Sequence, residues 1–112
     1  MSKPLYITTT LPYVNADPHI GFAVESLQAD ALARFSRLIG KDVFFNTGTD
    51  EHGQKVWEKA KENNEDIEEY VNRYADEVRK LKDALNLSTD AFVRTTDKEH
   101  IKTVQDITQK MF

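Results

Sequence analysis

The alternation of apolar and polar residues near the start of the chain predicts a strand, a loop and a helix. Residues 5–11 alternate in this way and include three threonines, which is typical of a β-strand. Residues 12–19 then hold two prolines, an asparagine and an aspartate, so we expect a loop of about eight residues. Between residues 20 and 39, apolar residues recur every three or four positions, which predicts an amphipathic helix. Its apolar stripe is formed by Val24, Leu27, Ala31, Phe35 and Leu38.

The middle of the chain predicts a second strand followed by two helices. Gly40 fits a helix C-cap, and residues 43–45 form a short apolar run of strand type. We expect residues 46–53 to form a loop, followed by a short helix that ends at residues 63–64. Asp66 begins a variant of the capping box, ahead of a long helix with a continuous apolar stripe. The aromatic residues expected in the core of these two helices are Trp57, Tyr70 and Tyr74.

The last part of the chain predicts a third strand and a final helix. Residues 91–94 fit a short strand, and Thr96 with Glu99 forms a Thr-x-x-Glu capping box. Behind this box, apolar residues continue at helical spacing up to Met111 and Phe112, with His100 expected on the surface. Because the apolar stripe runs to the last residue, we expect the chain to be part of a larger protein.

The order of these elements describes βαβ units, and therefore an α/β fold with a parallel sheet and flanking helices. In such sheets, ligands bind at the carboxyl ends of the strands. The loops after the first two strands are therefore the places where we expect chemistry.

Composition excludes several classes of protein. The chain has 112 residues, no cysteine and a formal net charge of -4. It therefore has no disulfide framework, thiolate metal site or cysteine nucleophile, and its acidic balance argues against a surface that grips a nucleic-acid backbone. No apolar run approaches the roughly 18 residues that span a bilayer, and residues 1–4 do not resemble a signal peptide. We expect a soluble, cytoplasmic protein without a membrane partner.

The first loop offers a site for phosphate. His19 and Gly21 lie where the first helix begins, and helix N-termini stabilise phosphate through unpaired N–H groups and the helix dipole. Gly21 would let a ligand approach the backbone closely. The alternative is that His19 makes a structural hydrogen bond and Gly21 serves helix packing.

The second loop places Asp50, Glu51 and His52 between two glycines. A carboxylate at a strand end can hold a substrate ammonium group. The alternative is a helix N-cap by Thr49 or Asp50, with Glu51 facing the helix dipole and pairing with Lys55. Asp50 and His52 could also form a metal pair or an acid/base dyad, but no third ligand lies nearby in the sequence.

Taken together, the motifs of both loops resemble the N-terminal part of the methionyl-tRNA synthetases, a family of class I aminoacyl-tRNA synthetases. The resemblance covers essentially the whole chain and rests on residues 11–15, 18–21, 28–30, 47–53 and 92–97. It implies a Rossmann-like, HUP-type nucleotide-binding fold that is incomplete here, with residues 1–112 forming the N-terminal portion of the catalytic domain and no second domain.

The resemblance also implies roles for individual residues. His19 and Gly21 match the HIGH signature that cradles ATP in this family, and His19 would stabilise the transition state. The fourth position of that signature, usually histidine, is Phe22 here. The residues that match the methionine pocket are Thr10 through its backbone, Leu11, Tyr13 and Asp50.

The activity implied is that of a methionine–tRNA ligase of protein biosynthesis. Methionine would react with ATP, accompanied by Mg²⁺, to form methionyl-adenylate, and would then be transferred to tRNA(Met). The family's KMSKS-like loop is absent from these residues, so tRNA would contact mainly regions outside the chain, and zinc would belong only to those regions. No residue here is a zinc-ligand candidate, and the sequence leaves the oligomeric state open. We expect the isolated chain to have negligible aminoacylation activity and an exposed, association-prone sheet edge.

Phe22 leaves alternatives open. It is either a natural variant whose role another group fulfils, or a sign that the protein has lost activity. The second case corresponds to a non-catalytic module that binds nucleotide or methionine. A third hypothesis is another nucleotidyltransferase with a HIGH-like signature, for which the sequence of the second loop is unsuitable.

Overall fold

Three parallel strands form the centre of the computed structural model, which describes residues 3–112. The first two residues of the N-terminal segment considered above lie outside that range. The elements are, in chain order, β1 (Leu5–Thr8), α1 (Ile20–Leu38), β2 (Val43–Thr49), α2 (Gln54–Glu62), α3 (Ile67–Ala84), β3 (Ala91–Arg94) and α4 (Lys98–Met111). Within residues 3–112, none of the helices combines the length and apolarity that crossing a bilayer requires.

The strand order β1-β2-β3 confirms the expected α/β fold with a parallel, Rossmann-like sheet. β1 pairs with the first half of β2, from Leu5 opposite Val43 to Thr8 opposite Asn46. β3 pairs with the second half of β2, from Asn46 to Thr49. The carboxyl ends of all three strands therefore lie at one edge of the sheet.

β2 is longer than predicted, because residues 46–49 belong to the strand and not to a loop. These residues are polar or glycine, but β3 pairs with all four of them and β1 pairs with Asn46, so backbone hydrogen bonds extend the strand. Gly48 is required at this position, since a methyl group there would lie 1.7 Å from the carbonyl oxygen of Val93. β1, in contrast, ends at Thr8, three residues earlier than predicted.

Two hydrophobic clusters hold the helices in place. The first lies between the sheet and α1 and contains Ile7, Ala33 and Phe45. The second joins the loop after β1 to α2 and α3, and consists of Val14, Val56, Ala60, Tyr70 and Val71. The second cluster anchors the first loop beside the carboxyl edge of the sheet.

α1 was predicted correctly as a helix, but its apolar stripe does not form the buried face. Phe35 and Leu38 are 59% and 84% exposed, and the rest of the stripe is also exposed. The buried residues are Phe22, Ser26, Asp30, Ala33 and Ser36. The small side chains allow close approach to the sheet, and the Asp30 carboxylate accepts hydrogen bonds from Ser88, so polar contacts select this face.

The start of α3 confirms the predicted cap, since the Asp66 side chain accepts hydrogen bonds from the N–H groups of Glu68 and Glu69. Tyr70 is fully buried and Tyr74 is half-buried, in line with the predicted core. The prediction for Trp57 was wrong, because its side chain is 52% exposed beside Lys61. Its neighbour Val56 takes the buried position of α2.

The predicted capping box of α4 is also wrong. The N-cap is Asp97, whose carboxylate accepts from the N–H of Arg94, and the Thr96 hydroxyl donates to Glu51. A tertiary partner has therefore taken the Thr96 hydroxyl, and the preceding turn has taken the Asp97 carboxylate, so neither side chain caps α4. His100 is half-buried, and the apolar stripe of α4 is exposed.

Candidate active site

The loops after β1 and β2 meet at the carboxyl edge of the sheet through a parallel bridge between Tyr13 and Asp50. The Asp50 N–H donates to the carbonyl of Pro12 at 3.0 Å, and the Val14 N–H donates to the carbonyl of Asp50 at 3.1 Å. Two predicted methionine-pocket residues from distant parts of the sequence are therefore neighbours.

Gly53 completes this junction. A methyl group on Gly53 would lie 2.4 Å from the hydroxyl oxygen of Tyr13, and the backbone φ of Gly53 is 126°. Only glycine combines this backbone conformation with space for the Tyr13 side chain. The last residue of the second loop motif thus accommodates an aromatic residue of the first.

His19 forms the N-cap of α1. Its Nδ1 accepts a hydrogen bond of 3.1 Å from the Gly21 N–H, and its carbonyl accepts from the N–H groups of Phe22 and Ala23. The structural hydrogen bond considered for His19 is therefore present. It pairs the Gly21 N–H, which was expected to be one of the unpaired groups at the start of the helix. In a neutral ring this bond places the proton on Nε2, which remains a donor.

Gly21 makes this cap possible. A methyl group at Gly21 would lie 2.9 Å from Cε1 and 3.0 Å from Nδ1 of His19. The absent side chain therefore gives space to the imidazole ring over the first turn of α1.

A cleft of about 280 Å³ lies between the first loop and the start of α1. Five predicted site residues line it, namely Thr10, Tyr13, His19, Gly21 and Phe22. The other two, Leu11 and Asp50, do not line this cleft, although Asp50 adjoins it through its bridge to Tyr13. Phe22 is only 8% exposed and also lines an adjoining cavity of about 190 Å³ beside β2 and α3.

Glu25 belongs to the cleft, although sequence reasoning assigned it to the polar side of α1. Its Oε1 accepts from the backbone N–H and the hydroxyl of Thr10, at 2.6 and 2.7 Å. These two hydrogen bonds hold the pKa of Glu25 below its usual range. Its position one turn after Gly21 on α1 was the available signal, because residues four apart share a helix face.

Glu51 has a different environment from the one considered in the alternative for the second loop. It is buried and ion-paired with Arg94 on β3, not with Lys55. Burial raises the pKa of the Glu51 carboxyl, but hydrogen bonds from Arg94 and two threonines outweigh this and leave the pKa lowered. The alternative of capping by Thr49 or Asp50 is not realised, because the N-cap of α2 is Gly53, without a side-chain hydrogen bond.

His52 lies beside the segment that follows β3, where its Nε2 donates to the carbonyl of Thr95 at 3.1 Å. Among residues 3–112, no group of three histidine, cysteine or carboxylate side chains has the arrangement of a metal site. The alternative of a metal pair at Asp50 and His52 thus gains no third ligand from this part of the chain.

Comparison with known proteins identifies the family. Residues 5–112 match the family described as tRNA synthetases class I (M). The chain belongs to this family. Methionine–tRNA ligase of Thermotoga maritima is 48% identical over 106 residues, which are 95% of this chain and 17% of the relative. The methionine–tRNA ligase of Clostridium tetani is 47% identical over 110 residues, covering 98% of this chain and 17% of the relative.

The same family accounts for the fold. The structure of Mycobacterium tuberculosis methionyl-tRNA synthetase in complex with methionyl-adenylate superposes with a TM-score of 0.86 at 46% identity. The match covers 88% of this chain and 19% of that synthetase chain. The resemblance inferred from the two loops is thereby confirmed, and the chain spans about a fifth of the length of the synthetases it matches.

Proposed function

We propose that the protein carrying this chain is a methionine–tRNA ligase, and that residues 1–112 are the N-terminal portion of its catalytic domain. The observation that carries this proposal is the 46% identity and TM-score of 0.86 with a synthetase that binds methionyl-adenylate. The chain would supply the first half of the site for ATP and methionine. The site of action would be the cytoplasm.

The ATP end of the proposed site is the start of α1. The Nδ1 of His19 is occupied by the Gly21 N–H, so its Nε2–H is the group left to donate to a phosphate oxygen. The dipole of α1 adds positive potential at the same point. Phe22 contributes an apolar wall where the family usually has a second histidine.

The methionine end of the proposed site lies at the bridge between the two loops. The Asp50 carboxylate would hold the substrate ammonium group by a charge-assisted hydrogen bond. Tyr13 would contact the substrate beside it, and Leu11 and the backbone of Thr10 would complete the pocket. The two hydrogen bonds from Thr10 to Glu25 support this arrangement, because they fix the backbone that enters the pocket.

In the proposed reaction, a carboxylate oxygen of methionine attacks the α-phosphorus of ATP, and the bond to the leaving pyrophosphate breaks. A ribose hydroxyl of tRNA(Met) then attacks the carbonyl carbon of the adenylate, and AMP leaves. The first step needs positioning and stabilisation of charge on the α-phosphate, for which His19 is the catalytic residue proposed here. Mg²⁺ would enter with ATP as part of the substrate, and tRNA would contact mainly regions outside this acidic chain.

The test is ATP–pyrophosphate exchange by the full-length protein that carries this chain. We expect exchange that depends on methionine and is absent with leucine. His19→Ala should lower the rate about 10²- to 10³-fold, the usual effect of losing one transition-state donor. An exchange rate in the unaltered protein that stays at the background level whether or not methionine is present would contradict the proposal.

The second candidate function is a non-catalytic module that binds nucleotide or methionine. It is favoured by Phe22, which is buried in the cleft wall and cannot donate a hydrogen bond. Measurable binding of both ligands without exchange would support the module. Phe22→His separates the two interpretations of this residue. An unchanged rate of ATP–pyrophosphate exchange would indicate that another group fulfils the role of the missing histidine. A large increase in that rate would indicate that the protein lost activity when phenylalanine replaced the histidine.

A further inference from the structure

Glu51 is a buried carboxylate whose hydrogen-bonding capacity is completely used. Its side chain is 0% exposed. Arg94 donates two hydrogen bonds to it, from Nε to Oε1 at 2.7 Å and from a terminal nitrogen to Oε2 at 2.9 Å. The Thr49 hydroxyl donates to Oε1 at 2.6 Å, and the Thr96 hydroxyl donates to Oε2. With two donors on each oxygen, a carboxylate has no acceptor site left for a substrate. Any role of Glu51 in the site is therefore exerted through other residues.

The contacts of Glu51 join the ends of β2 and β3. Its backbone N–H donates to the Thr95 hydroxyl at 2.8 Å, and the Thr95 N–H donates to the carbonyl of Thr49 at 3.2 Å. The side chain and backbone of Glu51 are thus both fixed to the segment that follows β3. This leaves little freedom for the residue that precedes Glu51.

That residue is Asp50, which is also held on its other side. Its N–H and carbonyl are paired with Pro12 and Val14 of the first loop. Thr49 and Glu51 share one side of the chain, as their hydrogen bond requires, so alternation along extended backbone directs the Asp50 side chain to the opposite side. Among the contacts within residues 3–112, no side-chain hydrogen bond involves the Asp50 carboxylate, which is therefore available to a ligand.

We propose that the Glu51–Arg94 pair is a positioning device that fixes the Asp50 carboxylate for the ammonium group of the substrate. This inference rests on the proposed function, because it assigns that role to Asp50. Glu51 and Arg94 are positioning residues and touch no substrate. A displacement of about 1 Å in a binding group can cost about 100-fold in rate, so a rigid support at this point has a large effect.

The first experiment measures ATP–pyrophosphate exchange by the full-length protein with Glu51→Gln. The matched control is Glu65→Gln, because Arg73 grips Glu65 with the same two kinds of nitrogen, at 3.2 and 2.6 Å, on the surface beside α3. We expect Glu51→Gln to raise the KM for methionine about 10- to 100-fold, with the KM for ATP changed less than about twofold. Glu65→Gln, the control, should leave the KM values for methionine and for ATP unchanged.

A double-variant comparison tests whether the effect passes through Asp50. In an Asp50→Asn background, Glu51→Gln should raise the KM for methionine by less than about threefold, since the carboxylate to be positioned is gone. Full additivity of the two substitutions would overturn the inference. Equal effects of the Glu51 and Glu65 variants, or equal increases in the KM for ATP and methionine, would overturn it as well.

A second measurement does not depend on methionine. Hydrogen–deuterium exchange of a peptide covering residues 48–52 should be at least about tenfold faster in Glu51→Gln than in the unaltered protein, and unchanged in Glu65→Gln. Arg94→Lys keeps the positive charge but loses the bidentate hydrogen bonding to Glu51, so it should give a smaller increase in the exchange rate. This variant replaces Glu51→Gln in the experiment if Glu51→Gln does not fold. Unchanged exchange in both variants would overturn the positioning role. Absence of methionine-dependent activity in the unaltered protein would contradict only the proposed function.

Discussion

Asp30 on the buried face of α1 gives the sharpest prediction about how the fold is held together. Its Oδ1 accepts from the backbone N–H and the hydroxyl of Ser88, each at 2.6 Å, and its Oδ2 accepts from Nε of Arg34 at 2.5 Å. Asp30 is 6% exposed, whereas the Arg34 side chain is 49% exposed. The bonds to Ser88 should therefore dominate, because a half-exposed ion pair contributes at most about 1 kcal/mol.

The magnitude follows from the groups that Asp30→Ala leaves without partners. An unpaired Ser88 N–H costs about 1–3 kcal/mol, and loss of the Arg34 pair adds up to about 1 kcal/mol. The higher helix propensity of alanine offsets about 0.5 kcal/mol of this loss. We expect a loss of local stability of about 2 kcal/mol, the centre of a range from about 0.5 to 3.5 kcal/mol, and this central value corresponds to about 30-fold more frequent opening.

The assay is native-state hydrogen–deuterium exchange of peptides covering α1 and residues 86–90. Asp30→Asn keeps the Oδ1 acceptor and should cost only about 1 kcal/mol, and Arg34→Ala should cost no more than that. An increase in the exchange rate of less than about threefold for Asp30→Ala would refute the conclusion that Asp30 holds α1 to residues 86–90. Equal increases for the alanine and asparagine variants would also refute it, since they differ in the acceptor for Ser88.

Three further predictions concern other positions. Gly48→Ala should destabilise the fold by about 3 kcal/mol or more in thermal unfolding, because the new methyl group would overlap the carbonyl of Val93. Gly21→Ala should displace the His19 ring, costing about 1 kcal/mol of helix capping and weakening the proposed binding of ATP to the full-length protein about tenfold in calorimetric titration. The lowered pKa of Glu51 means that its contribution to stability is complete above the unfolded-state value of about 4.3 and is lost as pH falls through the lower folded-state pKa. The difference in melting temperature between the unaltered protein and Glu51→Gln should therefore be large at pH 7 and shrink below pH 4.

Each of these predictions has a control variant or a result that would contradict it. Gly40→Ala tests whether the steric overlap at Gly48 causes the loss of stability. Gly40 has a φ of 81° but open space around it, so its substitution should cost only about 1–2 kcal/mol. For Gly21→Ala, unchanged ATP affinity would contradict the proposed role of the His19 ring in binding ATP. For the acid titration, a difference in melting temperature that is the same at pH 7 and at low pH would contradict a lowered pKa for Glu51.

Local pattern was sufficient for the type and order of the elements. The 3.6-residue period identified α1 and α3, Asp66 was correctly expected to cap α3, and the βαβ order correctly predicted a parallel sheet. These features depend on residues within one or two turns of each other, so they are visible in a single stretch of sequence. The motifs of the two loops also carried enough information to indicate the family, which the comparisons confirm.

Contacts between distant residues decided what local pattern could not. The buried face of α1 is set by Asp30 and Ser88, which are 58 residues apart, so the apolar period selected the wrong face. Glu51 binds Arg94 at a separation of 43 residues, although Lys55 offered a local partner. The amino-acid sequence by itself determined the elements, their order and the family. Only the tertiary structure decided which polar groups are buried, because a buried carboxylate is stable only where distant donors converge on it.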